Sequence, residues 1–328
     1  MDLDALQLRR EARRREIRRR RITAMCLLVV VVAVVAVVAT ALTQSSSGGS
    51  SSNPRRTASH SASTSGGVSA VSSHATSATA TSKLHTEPPG TDPIPILMYH
   101  VIAAPPPGAP FPGLYVEPAA FAEQMQALKH AGWHAVTLDQ AEAHWRQGVS
   151  LGAGKPIVLS FDNGYQSQYS QALPTLRRLG WVGVENIQLS GLPPSQGGLG
   201  TQEIRNLVAA GWELDTQGMS HASLISLDAE QLRYQIVDAR QTLQQRYHVP
   251  VNWFCYPSGL YDPTVVAAVK AAGYTGSTTV VPGWAHPHED PYRLHRLRVL
   301  GGTTGQQLLS LLEGARESPP APSSFTTP

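Results

Sequence analysis

The residues able to do chemistry sit where apolar runs stop. Ile157-Val-Leu-Ser-Phe161 passes directly into Asp162-Asn163-Gly164. A carboxylate at the end of a buried run is a candidate general base, and Asp-Asn-Gly is also good turn chemistry. Pro95-Ile-Leu-Met-Tyr99 closes on His100. That side chain can move a proton near neutral pH, or serve as a hydrogen-bonded structural residue. Glu213-Leu-Asp215-Thr-Gln217-Gly-Met-Ser-His221 places Asp215 and Gln217 on the same side of an extended chain, with His221 just beyond. Phe254-Cys255-Tyr256-Pro257-Ser258-Gly259 ends in a turn whose backbone N–H can serve a developing oxyanion. Cys255, alone in an apolar run, reads as an inert small apolar residue rather than a nucleophile. The loop Trp284-Ala-His286-Pro-His288-Glu-Asp290 reads as polar surface. There is no Gly-rich phosphate loop and no Cys-x-x-Cys pair.

These groups need a scaffold that brings them together. Strand-like runs are expected at 95–100, 133–138, 157–162, 181–189, 212–217, 251–257, 274–281 and 294–300. Helical patterns lie between them. One opens at Glu117-Pro118, with Phe121, Met125 and Leu128 on one face, and stops at Gly132. Others end at Gly180, are capped by Thr201 and by Ser226, and run from Asp262-Pro263 to Gly273. A last helix carries Leu308, Leu309 and Leu312. Repeated strand–helix units over this length predict a parallel α/β barrel. In such a barrel the strand ends share one mouth, so His100, Asp162-Asn163, Gln217, His221 and Pro257-Ser258-Gly259 are expected to converge there.

Four segments, in order, resemble the motifs of the polysaccharide deacetylases, carbohydrate esterase family 4, with its NodB homology domain. Ser160-Phe-Asp162-Asn163-Gly164 resembles that family's Thr-Phe-Asp-Asp-Gly motif. Ile96-Leu-Met-Tyr-His100 resembles the opening strand of the subgroup that begins with a Tyr-His pair. Gln217 to His221 has the spacing of the His-x-x-x-His motif, and Cys255-Tyr-Pro-Ser-Gly259 that of Arg-x-Pro-x-Gly. The resemblance implies a deformed (β/α) barrel and hydrolysis of N- or O-acetyl groups on carbohydrate. It makes Asp162 the base and puts the metal triad at Asn163, Gln217 and His221, with zinc or a similar divalent ion as cofactor. It puts substrate and oxyanion contacts at Tyr256, Pro257, Ser258 and Gly259. Two of the three metal positions hold amides, which are poor zinc ligands. Asp215 is a candidate replacement ligand, and His100 a candidate acid for the leaving group. Cys255 stands where the family's arginine orients the base. Two rival readings remain: the same barrel as a non-enzymatic binder of glycan or a cell-wall partner, and an acyl hydrolase using Asp162 and His100 without metal.

The rest of the chain sets the location. Of 26 basic and 23 acidic side chains, nine arginines and four acids fall in residues 1–21, leaving the remainder slightly acidic. That split argues against a nucleic-acid-binding domain. Residues 22–43 hold an uncharged apolar run from Met25 to Leu42, long enough for one membrane span. The basic head before it predicts a cytoplasmic N-terminus and an extracytoplasmic domain. Cleavage near Ala41 would release the chain instead. Residues 44–92 are rich in Ser, Thr, Ala and Gly and are expected to be a disordered linker. The domain is expected over 93–316 and a disordered tail over 317–328. The expected partners are an envelope polysaccharide or peptidoglycan-like glycan and, through residues 22–43, the membrane.

Overall fold

The computed structural model describes residues 88–190, 192 and 197–327. The basic head, the apolar span and most of the linker lie outside them. Among the described residues, no helix is long and apolar enough to cross a membrane.

Eight parallel strands form one sheet: β1 (Ile96–Tyr99), β2 (Trp133–Val136), β3 (Lys155–Asn163), β4 (Val184–Ile187), β5 (Glu213–Thr216), β6 (Trp253–Cys255), β7 (Gly276–Thr278) and β8 (Leu297–Arg298). The order is β7-β6-β5-β4-β3-β1-β8. The long strand β3 serves two neighbours on one edge. Its first half pairs with β2, from Trp133↔Lys155 to Val136↔Val158, and its second half with β4, from Ser160↔Val184 to Asn163↔Ile187.

The sheet curls into a half-barrel, which corrects the expectation of a closed ring. No ladder joins β7 to β8. The segment entering β8 bridges the gap: Leu294 N–H donates to Ser277 O (3.0 Å), Thr279 N–H to Leu294 O (2.9 Å) and Arg296 N–H to Val281 O (3.1 Å). Farther along, Val299 N–H donates to Met98 O on β1 (3.1 Å). One extended segment therefore changes partner halfway and stitches the two edges.

Alternation along the strands sorts the side chains into layers. Leu97, Tyr99, Leu159, Phe161 and Leu297 pack outward against Phe121, Met125 and Leu128 of α1 (Pro118–His130). Phe161 sits 5.6 Å from the Tyr99 ring and 4.9 Å from Trp212, so truncating it would cost on the order of 3–5 kcal/mol. Leu214, Phe254 and Tyr256 form the matching outer layer on β5 and β6, under α4 (Thr201–Ala209), α6 (Ala239–Tyr247) and α7 (Pro263–Ala271). Inward, Ile96, Val158, Val184, Trp253 and Leu294 close the floor of the half-barrel. The polar inward residues stand above that floor.

The remaining helices are α2 (Leu138–Gln147), α3 (Leu173–Leu179), α5 (Ala229–Arg233) and α8 (Gly305–Gly314). Helix α2 falls partly inside the expected strand 133–138: Thr137 accepts from Gln140 N–H and ends the strand with a capping box. The caps of α4 and α5 are Gly200 and Asp228, not Thr201 and Ser226. Both ends of the domain extend beyond the expected limits. Gly90 N–H donates to His144 O (3.0 Å) and the Trp145 indole to Asp92 O (2.9 Å), so the last linker residues are seated on α2. The expected disordered tail is a strap. Tyr261 and Phe325 exchange two backbone hydrogen bonds, and Tyr261 Oη donates to Pro322 O (2.8 Å).

Candidate active site

The C-terminal ends of the strands open into a cleft of about 590 Å³. Its lining includes His100, Asp162, Asn163, Gln217, His221, Tyr256, Ser258 and Gly259. Residues from four separate segments thus share one mouth. Asn163 (φ 79°), His221 (φ 49°) and Ser258 (φ 55°) all hold left-handed backbone without being glycine. Such strain concentrates where a fold over-determines a site.

Asp162 is buried and held from several sides. Arg296 Nη1 donates to Oδ1 (2.7 Å) and Nη2 to Oδ2 (2.9 Å), and Asn186 Nδ2 donates to Oδ1 (2.8 Å). Burial is the largest influence and opposes its charge, but the charge and hydrogen bonds of Arg296, joined by His100 and Asn186, together hold the carboxyl at about 2. Asp162 is therefore an anion throughout the physiological range. Arg296 is itself buried. It donates from Nε to Thr279 O (2.7 Å) and from Nη1 to Ser160 Oγ (3.1 Å), and its Nη2 lies 3.2 Å from Cys255 Sγ.

This corrects one inference from the sequence. Cys255 at the arginine position of the motif implies a less well held Asp162. The arginine instead arrives from the other side of the barrel, just before β8, and the small Cys255 side chain leaves room for it. Burial pushes the Cys255 thiol up to about 12, against activation as a nucleophile.

His100 is nearly buried, and its Nδ1 has no hydrogen-bond partner. Burial lowers its pKa to about 4, against the opposing pull of Asp162, so the ring is neutral near pH 7. His221 is lowered for the same reason, and Asp162 again opposes the shift. Gln168 fixes the ends of two strands: its Nε2 donates to His100 O and to Asp162 O, each at 2.8 Å. Sequence reasoning passed over Gln168 and Arg296. Arg296 was marked only by being a charge inside an apolar run.

The other expected residues divide. Asn163 and Gln217 meet, but not as paired ligands: Gln217 Oε1 accepts from Asn163 N–H at 3.1 Å. Asp215 does not line the cleft. It is fully buried among the inward residues, where Oδ1 accepts from Trp253 N–H (2.8 Å) and Asn252 N–H (3.2 Å). It ties β5 to β6, so its candidacy as a replacement ligand is corrected. The loop at 284–290 is structural: Trp284 Nε1 donates to Leu312 O (2.9 Å), and Asp290 pairs with Arg293 (3.1 Å).

The donor set does not fit a zinc ion. Its ligand positions offer one imidazole and two carboxamides, and the Gln217 oxygen is already spent on a backbone N–H. Among the described residues, no three His, Cys, Asp or Glu side chains gather to hold a metal.

The curled parallel sheet with a strand-end cleft around a buried Asp–Arg pair defines an α/β half-barrel of the carbohydrate-deacetylase type. Residues 152–277 match the family model described as Polysaccharide deacetylase. That stretch is similar to the family whose motifs the sequence resembles. It is 24% identical over 233 residues to a Bacillus subtilis (strain 168) protein named as a polysaccharide deacetylase, YxkH, covering 71% of this chain and 80% of that one. The fold matches the Streptococcus pyogenes deacetylase PplD in complex with acetate (TM-score 0.63, 23% identity, 68% of this chain and 99% of that one). It also matches the polysaccharide deacetylase BC0361 from Bacillus cereus (TM-score 0.60, 25% identity, 67% and 69%).

Proposed function

We propose that this chain hydrolyses acetyl groups on an envelope polysaccharide, is anchored to the membrane through residues 22–43, and works from Asp162 and His100 in place of the metal triad. The observation that carries the reading is the juxtaposition, in one cleft, of a permanently ionised Asp162 and a neutral His100. A neutral imidazole can take a proton from the attacking water, and the imidazolium so formed is stabilised by the Asp162 charge. The proton then passes to the departing sugar nitrogen or oxygen. Asp162, tied through both oxygens to Arg296, serves as the fixed counter-charge rather than as the proton acceptor. The turn at Pro257–Gly259 sits on the same cleft. Gly259 N–H is used by Tyr256 O (2.8 Å), so Ser258 N–H is the donor assigned to the oxyanion.

The test is acetate release from acetylated chito-oligosaccharides with a chelator present. Activity should persist in chelator, be lost in His100→Gln and Asp162→Asn, and fall below about pH 4 as His100 becomes protonated. Absence of acetate from the wild-type chain would overturn hydrolysis. The second reading, glycan binding without turnover, is favoured by the amides of Asn163, Gln188 and Gln217 on the cleft wall, since amides suit sugar hydroxyls.

A further inference from the structure

The cleft holds a cation that the fold does not use. Arg298 follows Arg296 by two residues along the same extended segment, so both point to the inner side. Arg296 is consumed by Asp162. Arg298 is exposed and stands on the cleft wall with His100 and His221. Among the described residues, no carboxylate pairs with it and no acceptor takes a hydrogen bond from its guanidinium. The other formal charges of the cleft are closed: Asp162 and Arg296 pair through both carboxylate oxygens. Arg298 lies opposite Met98 on β1, two residues before His100, which sets it beside the reacting groups.

An unbalanced guanidinium beside the reacting groups calls for an anion on the ligand. Resting on the reading of this cleft as a sugar site, we infer that Arg298 binds an acidic substituent, a carboxylate or a phosphate, on the acetylated sugar, so that the substrate is an acidic glycan. A carboxylate or phosphate can take two parallel N–H bonds from a guanidinium. Phe111, 68% exposed, and Leu114 line the same cleft and give an apolar surface for a ring face. A second groove of about 680 Å³ shares Phe111, Leu114 and Tyr165 with the cleft and carries no charged side chain. The acidic preference therefore belongs to the sugar at the reacting position, and the neighbouring sugar in the groove is read without regard to charge.

Calorimetric titration of the full-length chain tests this with three probes of equal length. These are a neutral N-acetylglucosamine tetramer, a tetramer carrying lactyl carboxylates, and a tetramer carrying 6-phosphates. One acidic probe should bind about 10- to 100-fold tighter than the neutral one, as expected for hydrogen bonds to a charged group. The comparison of the two acidic probes identifies the anion. The preference should shrink as salt rises, collapse to about one in Arg298→Gln, and survive in part in Arg298→Lys. Arg298 is exposed, so the glutamine variant should keep its circular dichroism spectrum. Equal affinity for all three probes, or an acidic preference that persists in Arg298→Gln, overturns the inference while leaving the sugar site standing. If none of the three binds, the sugar site and this inference fall together.

Discussion

At the scale of single residues, the Asp162–Arg296 pair governs both charge and stability. Neither group touches bulk water, so removing one strands the other. Asp162→Asn should lower stability by about 3–5 kcal/mol in urea denaturation at neutral pH. Asp162→Asn combined with Arg296→Met should recover part of that loss, because no uncompensated charge remains. The pair also sets an acid limit. The folded pKa lies below the ordinary carboxylate value, so the contribution is fully present above about pH 4 and is lost as pH falls toward 2. Much of this site was legible in the chain: Asp162, His100, His221 and the Pro-Ser-Gly turn all lie at strand ends, where a parallel barrel gathers its loops. Arg296 was not, because its partner is 134 residues away and the expected arginine position holds Cys255. Asp215 misled for a related reason. Sharing a strand face with Gln217 fixes direction but not depth, and Asp215 lies one layer lower.

At the scale of elements, β5 carries an acidic pair beneath the site. Glu213 Oε2 accepts from Asp139 N–H at 2.8 Å, at the start of α2. Burial, and then the Asp139 charge, push Glu213 up to about 7, and Asp215 beside it is raised as well. A carboxyl whose folded pKa is raised stabilises least when ionised. Its effect is most favourable below the ordinary value of 4.5 and is lost as pH rises to about 7. Glu213→Gln keeps the acceptor for Asp139 N–H and removes the charge. The melting temperature of the wild type should therefore fall more between pH 5 and 8 than that of the variant. A parallel fall in both would remove Glu213 as the source. The capping boxes that start α2 and α5, Thr137-x-x-Gln140 and Asp228-x-x-Gln231, were readable signals of the same kind. The apolar run through Leu138 masked the first, and Ser226 two residues upstream masked the second.

At the scale of the whole molecule, the described chain ends in a strap. Besides the Tyr261–Phe325 exchange, Arg293 Nη1 donates to Ala321 O (3.2 Å), and His295 Nε2 lies 3.1 Å from Pro319 O. Deleting residues 317–328 should destabilise the full-length protein by about 2.5–7.5 kcal/mol, counting roughly 0.5–1.5 kcal/mol for each of the five hydrogen bonds lost. Equilibrium unfolding measures it, and an unchanged midpoint would show that the strap only rests on the surface. A Pro- and Ser-rich composition gave no hint of this, because backbone carbonyls make most of these bonds and any sequence supplies them.

Arg296 has one further role. Its Nε reaches Thr279 O just past β7, while its Nη1 and Nη2 reach β3 across the interior. It works as a rivet across the mouth of a C-shaped wall, clamping the ends that the ladders leave apart. The same side chain holds the anion on which the proposed hydrolysis depends. Loosening the rivet would disarm the reaction and spring the wall in a single event, so amide exchange along 276–281 and 294–299 should accelerate whenever turnover is lost through this residue.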